Sequence, residues 1–369
     1  MIAALALLAW AYLLLLHGKF CQSGPELPPA MPRATPDIAV VVPARDEAAS
    51  IAASIGSLLA QEYAGSFRVV LVDDGSADGT ADIARALPGA ERLTVIAGTP
   101  RPAGWAGKLW AVQQGVVATD APLLLLTDAD IAHDPRHLAT LVAMAEASGV
   151  DMVSEMVALH CESLAERALV PGFVYFFQLL YPFAQVNDPL SATAGAAGGS
   201  VLIRRRALDR IGGIAAIQGA LIDDCALAAA VKRGGRIWLG HSGLACSIRL
   251  YPDFADIWRM IARSAYVQLR TSPLLLLGTV LGLALVFLVP PGAALFGAGW
   301  TRLAGGLAWA GMAASLLPTL RRYRRSPLWG FALPAIACFY LAATIGSALD
   351  HHRGRGVVWK RRAYADRAS

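Results

Sequence analysis

The two ends of the chain are built from long uncharged runs, and the middle alternates short apolar strands with helical spacings. Met1 to Leu16 is apolar throughout and is followed by His17 and Lys19. Thr271 to Thr301, Leu303 to Leu320 and Ser326 to Leu349 carry no ionisable side chain. About 20 apolar residues cross a bilayer core, so the last three runs are expected membrane spans, two or three of them crossing. The first run is short. Without a basic segment before it or a good small-residue cleavage site, it reads as an uncleaved anchor rather than a signal peptide.

From Pro36 to about Arg249 the texture changes. Ile38 to Pro43, Arg68 to Asp73, Leu93 to Ala97 and Pro122 to Thr127 read as buried strands. Glu47 to Gln61, Gly75 to Leu87 and Leu109 to Val117 carry helices between them. Strand and helix in alternation predict an α/β fold with a mostly parallel sheet. The expected organisation is an anchor (1–18), a Pro-rich linker (19–36), a catalytic domain (37–250), an amphipathic interface helix (251–270), a C-terminal membrane region (271–350) and a basic tail (351–369).

Composition agrees with a membrane-attached protein. Of 369 residues, 56% are hydrophobic and only 16% charged, against roughly a quarter charged in soluble domains. Basic residues place residues 20 to 270 in the cytoplasm, since Lys19 and Arg33 follow the first run. If all three later runs cross, the tail cations Arg353, Arg355, Lys360, Arg361 and Arg362 fall outside, against the positive-inside rule. One run is then re-entrant or interfacial. Five isolated cysteines exclude a CxxC zinc site and suit a reducing compartment.

Ligands of open parallel sheets bind beyond the carboxyl ends of the strands, and here those ends are acidic. Strand one runs into Arg45-Asp46-Glu47, strand two into Asp73-Asp74-Gly75-Ser76, and the fourth into Asp128-Ala129-Asp130. If the fourth strand continues, Asp128 and Asp130 share a face and can hold a hard divalent cation; otherwise Asp130 or Asp134 caps the helix at Pro135. Asp73 and Asp74 serve a turn or a nucleotide. Lys108 opens a helix and can pair with a diphosphate. Gly198 and Gly199, in a small-residue loop, admit close approach of a sugar or acceptor. Asp223 and Asp224 precede a strong helix; one serves as N-cap, and Asp224 as a general base kept ionised by the helix N-terminus.

Val170 to Val186 is rich in aromatics and too interrupted by Pro171 and Pro182 to span. It reads as core or as an interfacial element. Phe254, Ile257, Trp258, Ile261 and Ala265 recur at helical spacing, and the preferred placement of that helix is on the membrane surface.

In chain order, Val41-Val-Pro-Ala-Arg-Asp-Glu47, Val72-Asp-Asp-Gly-Ser76, Gly107-Lys108, Thr127-Asp-Ala-Asp130, Gly198-Gly199 and Ile222-Asp-Asp224 resemble the inverting family 2 glycosyltransferases of GT-A fold over roughly residues 36 to 270. The resemblance implies that Pro43, Glu47, Asp73, Asp74, Lys108, Asp128 and Arg263 bind a nucleotide-sugar donor, UDP-sugar favoured. It also implies that Asp128 and Asp130 hold Mg²⁺ or Mn²⁺, that Asp224 is the base, and that Gly198, Gly199 and Asp223 lie on the acceptor side. The QxxRW motif of processive members is replaced by Met260-Ile-Ala-Arg263-Ser264, so one sugar per acceptor is expected.

Cys161 to Leu169, Phe176 to Phe183, Ala220 to Leu227 and Ile257 to Arg263 resemble more narrowly the glycosyltransferase of bacterial hopanoid-biosynthesis clusters. That implies a lipid hydroxyl acceptor and a bacterial inner membrane, with no nucleic acid partner. The competing readings are a polyprenyl-phosphate sugar transferase, a nucleotidyltransferase of similar fold, and a non-enzymatic nucleotide-binding scaffold.

Overall fold

The structure, a computed structural model, describes residues 1–354 together with the backbone of 358–359 and 362–363. The expected tail cations Arg355, Lys360 and Arg361 lie outside the described residues. The chain folds into two compact units. Pro25–His160 and Val186–Leu250 form a sheet unit; Met1–Gly24, Cys161–Gln185 and residues 251–354 form a helical unit.

The sheet unit is built on eight strands: β1 (Ile38–Ala44), β2 (Phe67–Asp73), β3 (Leu93–Ala97), β4 (Leu123–Thr127), β5 (Ile131–His133), β6 (Met152–Ala158), β7 (Ser200–Arg204) and β8 (Ile237–Ser247). Their spatial order is β3-β2-β1-β4-β7-β6-β8-β5. β3, β2, β1 and β4 run parallel. β7 is antiparallel to both β4 and β6, β8 is parallel to β6, and β5 is antiparallel to β8. The mostly parallel α/β sheet is as expected from the alternation. β7 enters from the Gly195–Ser200 stretch, after the helix Leu164–Leu180, and runs against both its neighbours.

Every residue of β1 is buried, as a strand covered on both faces requires. The helix Ile51–Leu59 buries Ile51, Ile55 and Leu58 in the core with Val40, Val42 and Leu71. The helix Gly107–Val117 packs closely at Gly115, where a Cβ would stand 2.4 Å from a Val41 methyl. That approach fixes the start of the helix, and Lys108 with it, over the ends of β1 and β4.

The helical unit holds three helices long and apolar enough to cross a membrane: Pro273–Phe296, Gly299–Arg322 and Pro327–His352. The helix Ile2–Leu15 has 14 residues, roughly 21 Å at 1.5 Å per residue, short of a bilayer core. Its Trp10 is buried against Phe287, with Nε1 donating to the Val286 carbonyl at 2.7 Å.

Two sequence expectations change here. Residues 161–185, placed within a 37–250 catalytic domain, pack instead in the helical unit. The helix Leu164–Leu180 runs through Pro171, and Tyr175 is buried with its hydroxyl 2.9 Å from Ser315 Oγ. The aromatic run is therefore core. Likewise the amphipathic helix Phe254–Ala262 does not offer its apolar face to a membrane surface. Ile257 and Ile261 are buried in the core of the unit, and the Trp258 ring meets Phe339 edge-on at 5.6 Å. A neighbouring apolar helix covers that stripe more completely than headgroups would.

Candidate active site

Five chain segments of the sheet unit meet at one concavity, three of them bringing charge. Pro43 from β1, Lys108 from the first turn of its helix, Asp128 from the end of β4, Gly198, and Asp223 with Asp224 from the helix Asp223–Lys232 all line it. Lys108 is the hinge of the arrangement. Its Nζ lies 2.8 Å from Asp128 Oδ1 and 3.1 Å from Asp223 Oδ2. A lysine at a helix start thus joins the acidic end of a strand to the acidic start of a second helix.

Asp224 differs from expectation. Neither aspartate is the N-cap, which is Ile222. The Asp224 carboxyl accepts from the Cys225 backbone N–H at 2.7 Å, a contact that favours ionisation. Burial outweighs it, followed by the charge of Asp223, and the carboxyl is pushed up to about 7 although Lys108 pulls the other way. The helix start does not keep it strongly ionised; it sits where a carboxylate exchanges protons near neutrality. Gly198 is what lets the chain pass, since a Cβ there would stand 3.1 Å from Asp224 Oδ2.

Asp128 is also raised, first by burial and then by the charge of Asp130, against the pull of Lys108. The argument that strand continuation places these two carboxylates on one face does not hold, because β4 ends at Thr127 and 128–130 form a turn. The turn still keeps them within electrostatic reach. Asp130 caps no helix. Its Oδ2 lies 2.6 Å from Arg249 Nε, and Arg249 Nη2 reaches Glu47 Oε1 at 3.3 Å. Asp134 instead closes its own turn, accepting from the Arg136 backbone N–H at 3.0 Å.

Asp73 and Asp74 divide their work. Asp73 Oδ1 accepts from the Ser76 N–H at 3.1 Å, the turn role. Asp74 is buried and paired with Arg45 at 3.1 Å. The loop after β1 is laced to the loop after β2: Asp46 Oδ1 accepts from the Ala77 N–H, the Glu47 N–H donates to Thr80 Oγ1, and the Ala48 N–H donates to Asp78, each at 2.9 Å. Glu47 is thereby held at the rim by its own backbone. Arg263, expected to hold the leaving diphosphate, belongs to the helical unit, at the C-cap of the helix Phe254–Ala262.

Sequence reasoning missed Arg249 and Arg45. Arg249 arrives beside Asp130 because β5 pairs with the end of β8, with Ile131 opposite Ser247 and the Ile248 N–H donating to the Asp130 carbonyl at 2.9 Å. No local signal predicts a pairing between residues so far apart. Arg45 was visible as the basic partner inside an acidic strand end.

Against known proteins, a model described as Glycosyl transferase family 2 matches residues 39–212. That match covers a little under half of the chain. The matched span contains Glu47, Asp74, Lys108, Asp128, Asp130, Gly198 and Gly199, while Asp223, Asp224 and Arg249 follow it. The succinoglycan biosynthesis protein ExoU of Rhizobium meliloti (strain 1021) is 31% identical over 123 residues, 33% of this chain and 33% of that protein. The match thus spans about a third of the curated relative's length. The mannosyltransferase PcManGT from Pyrobaculum calidifontis, solved with GDP-Man and Mn²⁺, superposes with a TM-score of 0.57 at 20% identity, covering 94% of this chain and 99% of that one. The fold is GT-A, and the enzyme class of the family 2 domain is glycosyltransferase.

The donor chemistry of the rim fits a hard divalent cation. Asp128 and Asp130 are oxygen donors; burial first, and then the charge of Asp130, raises Asp128, and added positive charge would offset both. Among the described residues no three His, Cys, Asp or Glu side chains converge as a complete metal cage. Phosphate oxygens and water would complete the shell, as these cations accept.

Proposed function

We propose that this chain is a membrane-attached inverting glycosyltransferase that moves one sugar from a nucleotide-sugar donor to a lipid hydroxyl, in hopanoid lipid biosynthesis. The observation that carries the reading is Asp224, a carboxyl pushed up to about 7 beside Lys108, Asp128 and Gly198. A hydroxyl acceptor needs a base with a pKa near the working pH; an acceptor that is already an anionic phosphate does not. A lipid acceptor is supported by three long apolar helices in the same chain, and single-sugar transfer by the departure from QxxRW.

In this mechanism Glu47, Asp73 and Asp74 lie along the donor's nucleoside end, with Pro43 beneath. Lys108 supplies positive charge against the departing diphosphate, and Asp128 and Asp130 would hold Mg²⁺ or Mn²⁺, which would add to that charge when bound. Lys108 exchanges its carboxylate contacts for diphosphate oxygens as the bond to the anomeric carbon breaks. Asp224 takes the acceptor hydroxyl proton; the oxygen attacks from the opposite face and the configuration inverts. Gly198 and Gly199 give the acceptor room beside the base, with Asp223 holding Lys108 in line.

The test is to incubate membranes containing the chain with labelled UDP- and GDP-sugars and identify the labelled product by mass spectrometry. The expected product is a lipid carrying one sugar with inverted anomeric configuration, UDP-sugars being preferred. Label on a polyprenyl phosphate, or release of pyrophosphate instead of nucleoside diphosphate, would replace the reading.

A further inference from the structure

His133, His137 and Glu155 are buried together in the sheet unit, at 5%, 0% and 0% exposure, and no step above uses them. His133 ends β5, His137 opens the helix His137–Ser148, and Glu155 lies within the buried run of β6. Burying this much titratable chemistry is costly unless every proton has a place.

The protons can be placed in order. Thr127 Oγ1 lies 2.7 Å from the Gly199 carbonyl, which only accepts, so the hydroxyl donates there. His133 Nε2 lies 3.2 Å from the same Oγ1. With the hydroxyl proton committed, Nε2 must carry a hydrogen. A neutral imidazole has one N–H, so His133 Nδ1 is bare and accepts from His137 Nδ1 at 3.1 Å. His137 Nε2 then meets Glu155 Oε1, and the two share one proton. Ser200 Oγ flanks that nitrogen at 3.4 Å. Among the described residues Glu155 Oε2 is buried without a hydrogen-bond partner, so Oε1 is the oxygen through which Glu155 joins the chain. Burial and the neighbouring His137 hold His133 well below the usual histidine range, in keeping with its neutral form.

The chain therefore runs one way, from the Glu155–His137 pair through His133 and Thr127 to the Gly199 carbonyl. Its outlet joins the residue before Asp128 to the residue after Gly198. A second pin holds the same loop, where the Ala197 N–H donates to Ser154 Oγ at 2.9 Å. We propose that Glu155, His137 and His133 are positioning residues for the transfer reaction, a one-way hydrogen-bond chain that clamps the Asp128 turn to the Gly198 loop and so sets Asp128 against Asp224. This rests on the roles given above to Asp128 and Asp224.

The experiment pairs disruptive with conservative variants of the full chain in detergent. Thr127→Val removes the donor at constant shape and Thr127→Ser keeps it. Glu155→Gln can still donate to His137 Nε2, and Glu155→Leu cannot. Thr127→Val and Glu155→Leu are expected to lower kcat about tenfold or more, with the donor KM within about threefold, because orientation is lost while nucleotide contacts remain. Thr127→Ser and Glu155→Gln should stay within about threefold of the parent. Independently of turnover, ¹⁵N NMR of the histidine rings at pH 7 should show His133 as the neutral Nε2–H tautomer. A protonated or Nδ1–H His133 overturns the proposal. So does Glu155→Gln as inactive as Glu155→Leu, or a kcat loss that only follows the folded fraction in thermal unfolding. A parent chain inactive on every nucleotide sugar, with the assigned tautomer present, overturns the transferase reading instead, and the positioning role falls with it.

Discussion

Two acidic clusters of the sheet unit use the same residue type to opposite ends. After β1 and β2, Asp46, Asp73 and Asp78 accept from backbone N–H groups and from Ser76 and Thr80, and Asp74 pairs with Arg45. Asp78 is held below the ordinary carboxylate range: desolvation raises it, and its several hydrogen bonds together outweigh that. After β4 and at the start of the helix Asp223–Lys232, three carboxyls share Lys108, and burial raises both Asp128 and Asp224. The first cluster is a scaffold of turns closed by its own hydrogen bonds, which hold its shape for the donor's nucleoside end. The second is short of positive charge, and strain of that kind is a mark of a site built for a charged ligand.

The largest effect that would break this contrast is at Asp224. Asp224→Asn should cut transfer to a hydroxyl acceptor by about 10²–10⁴-fold, the usual worth of a general base, with nucleotide affinity nearly unchanged. Single-turnover rates and a nucleotide-binding titration check the two halves. The pH dependence has a stated sign. Activity of the parent should fall as pH drops below about 7, where Asp224 gains its proton. Asp223→Asn removes the like charge that helps to raise Asp224, so the limb should move to lower pH.

Lys108 comes next. Lys108→Met leaves Asp128 and Asp223 without that ammonium partner and removes positive charge from the departing diphosphate. A loss of about 10²-fold in kcat is expected, comparable to deleting one preorganised donor. Because Lys108 lowers Asp224, the acid limb of the pH profile should shift upward, opposite to Asp223→Asn. A shift in the same direction would mean that Lys108 does not act on the base.

How far the residues alone could reach differs between the clusters. Strand ends, the DxD turn, Lys108 and the Asp223-Asp224 pair were legible because each depends on local pattern: a β-branched run, a helix start, a glycine-rich loop. Arg249 was not, because its place beside Asp130 depends on β5 pairing with β8. The buried chain from Glu155 to Thr127 was hidden for the same reason, being assembled from β4, β5, β6 and a helix. The state of Asp224 was misjudged because the helix start is visible in sequence and burial is not. The aromatic run of residues 170 to 186 read equally as core or as an interfacial element, because only packing decides between them, and packing makes it core with the helix Leu164–Leu180 running through Pro171.

The smallest effect sharpens the contrast from the scaffold side. Asp78 is largely exposed, so solvent screening limits its worth to below about 1 kcal/mol. Its depressed pKa contributes stability that is present above the unfolded value of about 3.9 and lost as pH falls through the folded one. Asp78→Asn should therefore lower the thermal midpoint slightly at pH 7, and the difference from the parent should shrink as pH falls below about 4. Its kcat should match the parent once corrected for folded fraction. Asp224→Asn has the opposite sign. A carboxyl raised to about 7 costs stability increasingly as pH climbs from about 4 to 7, so the amide should raise the midpoint above neutrality. Thermal scans of the two variants at pH 3, 5, 7 and 8 read both signs at once. Parallel curves would mean that the two clusters are electrostatically alike and that the shortage of positive charge around Asp224 is not there.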